Sequence, residues 1–114
     1  MFAITLLLIS FFLFASSIKL TGWQRGIFEI QLGFFENYGL NRQIMFIVGL
    51  IELTASLLLI SALVTDKENL KSLGAIMIIF ASIGASYFHL RFDTTKDALP
   101  AFITLTLSTM LLIN

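Results

Sequence analysis

The sequence predicts an all-α fold, a bundle of four transmembrane helices with a short amphipathic segment lying in the membrane interface between the first and second. Three observations carry that expectation. Of 114 residues 58% are hydrophobic and 12% charged, and the mean hydropathy is +0.97, far outside the balance of soluble domains. Four windows between charge-bearing breaks reach the about 20 apolar residues that a spanning helix requires. The stretch between the first two windows is long and mixes aromatic with charged residues instead of forming a tight turn.

The first window covers about residues 2–20 and carries no charge before Lys19. It lacks a basic start, and its apolar run is longer than the roughly 7–15 residues of a secretory signal, so it is read as a retained helix. The second covers about residues 43–64 and is interrupted only by Glu52; the third covers about residues 72–90. The fourth, about residues 96–113, opens with Asp97 and Pro100, which suit a helix's first turn. The whole chain, 1–114, reads as one membrane domain with no soluble tail.

The connections differ. Residues 65–71 and 91–95 read as tight polar turns. Between residues 23 and 38, Trp23, Ile27, Ile30, Phe34 and Tyr38 recur at helical spacing, with Arg25 and Glu29 an i,i+4 pair on another face. Trp and Tyr favour the interface, and Gly22, Gly26, Gly33 and Gly39, which punctuate the connection 21–41, suggest that this helix is short or broken. With four spans both ends of the chain share a side with the 65–71 turn. Lys19, Arg25, Arg42, Arg91 and Lys96 lie on the other side, so the positive-inside rule places the first and third connections in the cytoplasm of a cell-membrane, multi-pass protein.

Glu52 falls about nine residues into its helix, roughly 13 Å deep at 1.5 Å per residue. A carboxylate there costs about 2.5–3.5 kcal/mol on insertion scales, so it should face the bundle interior and be paired or protonated. Gly49, Glu52 and Ser56 form a small and polar stripe that admits a neighbouring helix. Lys19, ending the first helix in the same half of the membrane, is the evident partner, although a lysine there can also snorkel to water. His89 ends the third helix on that side, with Ser82 and Ser86 above it; the fourth adds Thr104 and Ser108. Lys19, Glu52, His89, Ser56 and Ser86 are therefore the candidate ligand-binding residues. Gly74, Ala81, Gly84 and Ala85 read as packing positions, and the 12 phenylalanines as lipid contact and core.

There is no cysteine and one histidine, which removes thiol chemistry and any self-sufficient metal site, so no intrinsic cofactor and no catalytic residue are expected. The balanced charge, seven basic against seven acidic residues, argues against a nucleic-acid partner.

The segments FASSIKLTGW at 14–23, YGLNR at 38–42 and VGLIEL at 48–53, in this order on four helices, resemble the DoxX/DoxD-like family of small membrane proteins. The resemblance is densest over residues 12–63. It implies an architecture more than a reaction: some relatives look like small subunits of a thiosulfate:quinone oxidoreductase, others sit in membrane redox assemblies, and distant ones look like chaperones or cargo receptors. The leading expectation is an accessory subunit binding a quinone-like or lipidic ligand at Lys19, Glu52 and His89. A chaperone or assembly factor with a protein partner, or a homo-oligomer, is the alternative. A proton-coupled multidrug exporter fits less well, since those carriers hold their glutamate in the first helix and have short loops. A Lys19–Glu52 pair that only orients two helices is the structural reading of the same residues.

Overall fold

The computed structural model describes residues 2–113. Five helices account for nearly all of it: α1 (Phe2–Thr21), α2 (Arg25–Asn37), α3 (Arg42–Thr65), α4 (Glu68–Phe92) and α5 (Thr95–Ile113). Four of them, α1, α3, α4 and α5, are long and apolar enough to cross a membrane. The 25-residue α4 begins four residues before the apolar window because Glu68 and Lys71, joined at 2.9 Å, form a polar first turn outside it.

Local chemistry sets the breaks. The α1 helix stops at Gly22, whose φ of 68° is left-handed and whose N–H donates to Ile18 O. Gln24 and Asn41 cap α2 and α3 by accepting from Ile27 N and Ile44 N, each at 3.0 Å. Thr94 caps α5, its Oγ1 accepting from Asp97 N while its hydroxyl donates to Asp97 Oδ2. Pro100 is the sixth residue of α5, not part of its first turn. Its missing N–H leaves the Lys96 carbonyl without the helical donor it would otherwise have.

The outer face of the bundle is apolar. Large side chains such as Leu7, Phe14, Phe46, Leu57, Phe80 and Ile103 are exposed, as suits a surface that meets lipid. The interior combines large apolar side chains, among them Leu8, Phe12, Leu59 and Ile78, with small residues that let the helices approach closely. A Cβ on Gly49 would lie 2.9 Å from Lys19 Cβ, and one on Gly74 2.9 Å from Leu59 Cδ2 and 3.1 Å from the Ala55 carbonyl. These two glycines bring α1 and α4 against α3. Gly84 has nothing within 4 Å of such an atom, so it is not the packing position its sequence context suggests.

The α3 helix packs extensively on α1 and α4, and α4 on α5, whereas α1 and α5 barely touch. The four spans thus form a horseshoe with a loose α1–α5 seam. Its core has two tiers. Leu8, Ile9, Phe12, Ala55, Leu59, Ala75, Ile78 and Leu111 make one apolar cluster. Toward the α2 end, Ser16, Lys19, Glu52, Ser82, Ser86 and Thr104 are buried. The alternating helix directions bring these polar residues into the same half of the membrane.

The α2 helix is one continuous 13-residue helix, unbroken by its glycines, with no fully buried residue. Its aromatic stripe is divided: Trp23 and Ile30 are exposed, while Ile27, Phe34 and Tyr38 are half-buried. Arg25 and Glu29 do not pair; the ion pairs among the described residues are Lys19–Glu52, Lys71–Glu68 and His89–Asp93.

Candidate functional site

Close approach at Gly49 seats the base of Lys19 against α3, and its Nζ lies 3.0 Å from Glu52 Oε1 with both side chains about nine-tenths buried. Oε1 is buried, and this ion pair is its one polar contact among the described residues. Ser56 Oγ donates to the Glu52 carbonyl at 2.9 Å, committing that hydroxyl to its own helix. Ser86 is buried and its Oγ has no partner. On α4 and α5, Ser82 and Thr104 share a 2.7 Å hydrogen bond between their hydroxyls.

His89 is placed elsewhere. Its Nδ1 lies 2.9 Å from Asp93 Oδ2 and 3.0 Å from Tyr38 Oη, and Tyr38 donates to the same Asp93 oxygen at 2.5 Å. A carboxylate only accepts, so this arrangement sets the imidazole proton on Nδ1 and leaves Nε2 as the ring's uncommitted nitrogen. Aromatic rings surround the cluster: Phe34 stands edge-on to His89 at 5.1 Å, and Phe88 and Phe92 pack on Tyr38 at 4.9 and 5.4 Å. Burial, then the Asp93 carboxylate as hydrogen-bond acceptor and negative charge, then the charge of Asp97, push the Tyr38 phenol well above its ordinary range. This cluster fastens α2 to the end of α4. His89 bonds to neither Lys19 nor Glu52, so the three ionisable groups grouped by the sequence form two separate sites.

Two further residues emerge only in three dimensions. Asp93 sits four residues after His89, a spacing that the sequence offers but that is also common by chance. Arg42 donates from Nη2 to the Leu20 carbonyl at 3.2 Å and lies over the rings of Phe28 and Phe46 at 4.9 and 5.7 Å. It thereby joins α1, α2 and α3. Tyr38 and Arg42 are the outer residues of the YGLNR segment, which was the available signal for both.

Two clefts open on the bundle. One of about 190 Å³ lies at the far end, around Thr5, Ala62 and the Asp66–Lys71 turn. The other, about 300 Å³ and almost wholly apolar, follows the α1–α5 seam between Leu7, Phe11, Pro100, Ile103 and Leu107. Neither is lined by Lys19, Glu52 or His89. Among the described residues no three of His, Asp and Glu cluster as a metal site would require.

Four apolar spans around a buried ion pair define a multi-pass membrane protein. The DoxX-like family profile matches residues 3–111, nearly the whole chain, and the protein belongs to that family. No curated protein and no solved structure matches it.

Proposed function

We propose that this DoxX-like protein is an accessory subunit of a membrane redox assembly, and that its Lys19–Glu52 pair receives the polar head of a quinone-like or lipidic ligand. The observation that supports this is incomplete satisfaction at intramembrane depth. Among the described residues, Ser86 Oγ is buried without a hydrogen bond and Glu52 Oε1 has only the Lys19 ion pair, and buried polar groups are costly unless they are fully met. A polar oxygen head is of the right chemistry: a carbonyl can accept from the Lys19 ammonium or the Ser86 hydroxyl, and a hydroxyl head can in addition donate to Glu52. His89, tied to Tyr38 and Asp93, stands outside this head site, and Ser56 holds the Glu52 helix rather than the ligand.

The test is retention of membrane quinone by purified protein, compared between wild type and Glu52→Gln at matched folded concentration. At least a tenfold loss in the variant is expected. Equal retention in both would remove the reading.

A further inference from the structure

The α1–α5 seam differs from the other junctions of the bundle. The α1 and α5 helices scarcely meet, and the gap along them is a cleft of about 300 Å³. Leu7, Phe11, Pro100, Ile103 and Leu107 make its walls apolar. Thr104 is its one hydroxyl-bearing lining residue, and that hydroxyl is occupied twice, by Ser82 Oγ at 2.7 Å and by the Ala101 carbonyl at 3.1 Å. The cleft therefore presents no polar group in need of a partner. At hydrocarbon depth it is filled by chain, not by water, which would need two or more polar partners there.

Thr104 also faces two ways. It lines the cleft, and through Ser82 it belongs to the polar tier that contains Lys19 and Glu52. Between the cleft and Ser82 stands one interhelical hydrogen bond, of a kind worth only about 0.6 kcal/mol on average in membranes. Pro100 removes a backbone hydrogen bond from the adjoining turn of α5, so the helix bordering the seam is the one least stiffened there.

We propose that the α1–α5 seam is a lateral entrance from the bilayer, with the cleft holding the hydrocarbon tail of the ligand whose head meets Lys19–Glu52. The inference rests on the function proposed above and adds the route and the tail site. The occupant is an isoprenoid or comparably long apolar tail carried by that head, because an apolar cleft whose single hydroxyl is bonded to a buried serine of the polar tier matches a molecule with those two ends.

The chain has no cysteine, so Phe11→Cys with Ile103→Cys introduces the only thiols. The pair is reconstituted in nanodiscs and bridged by a short bifunctional maleimide. Loading of a long-tailed prenyl benzoquinone carrying a photoreactive group at its tail is then followed. Bridging should slow loading at least tenfold relative to the unbridged pair, and illumination of the unbridged protein should label the cleft walls. Leu107→Trp, which fills the cleft without a linker, should weaken the long-tailed probe at least tenfold and a tail-less benzoquinone less than threefold. Unchanged loading after bridging, labels confined to the outer faces of α3 and α4, equal labelling by a phospholipid with a photoreactive acyl chain, or predominantly intermolecular bridging would each overturn the entrance. Failure of wild type to load either benzoquinone would overturn the head site, and the entrance with it. Loss of both probes in Glu52→Gln with a normal response to bridging in wild type supports both.

Discussion

Lys19 and Glu52 illustrate how a glycine can decide the position of a charge. Gly49 sits one turn before Glu52, and its missing side chain lets the base of Lys19 rest against α3. The pair was legible in the sequence because depth alone makes a lone carboxylate improbable in hydrocarbon, and chain direction put only Lys19 and His89 in reach. The exclusion of His89 was not legible. Its partners Tyr38 and Asp93 come from α2 and from the cap after α4, and no periodicity within α4 reports the docking of another helix. A double-mutant cycle tests the ion pair. Glu52→Leu alone, leaving a buried ammonium, is expected to cost about 3–5 kcal/mol. Lys19→Met with Glu52→Leu should recover more than half of it, as read by unfolding in mixed micelles. Additive losses would show that the two side chains do not interact.

At the scale of elements, α2 was legible as an interfacial helix from Trp23, Tyr38 and the spacing between them, but its fastening was not. Glycines at 26 and 33 argued for a break, yet Gln24 caps the first turn and the helix runs through both. What holds it is the Tyr38–Asp93–His89 cluster together with Arg42 over Phe28. The raised phenol of Tyr38 fixes the sign of a pH effect. A group whose folded value exceeds its unfolded one stabilises fully below the unfolded value, about 10 for tyrosine, and loses that contribution as pH climbs beyond it. Docking of α2, followed by Trp23 fluorescence or by hydrogen exchange of residues 25–37, is thus expected to hold at neutral pH and to weaken in strong alkali. Tyr38→Phe should loosen α2 already at neutral pH and flatten the alkaline transition. A transition identical to that of wild type would mean that Tyr38 is not its source.

For the whole molecule, hydropathy gave the four spans because a bilayer enforces one element length on every crossing. It could not show how tightly neighbouring spans pack. Small residues on one face permit close approach without requiring it: Gly74 makes such a contact and Gly84 does not. That distinction depends on which helix lies opposite. The contrast yields a paired prediction. Gly74→Ala forces α4 from the Ala55 carbonyl and should cost about 1–3 kcal/mol, whereas Gly84→Ala should be neutral or slightly stabilising, since helix propensity favours alanine by about 1 kcal/mol. Thermal unfolding of the two variants in one detergent decides it.

The long axis of the described chain, 40 Å, runs along the helices and equals the thickness of a bilayer with its headgroups, about 40–45 Å. Such a body offers the aqueous phases little more than the rims of its helices, two short turns and one face of α2. For the lipidic ligand proposed to reach Lys19–Glu52, the route lies in the plane of the membrane. Encounter rates would then follow lateral diffusion and lipid composition, not concentration in water.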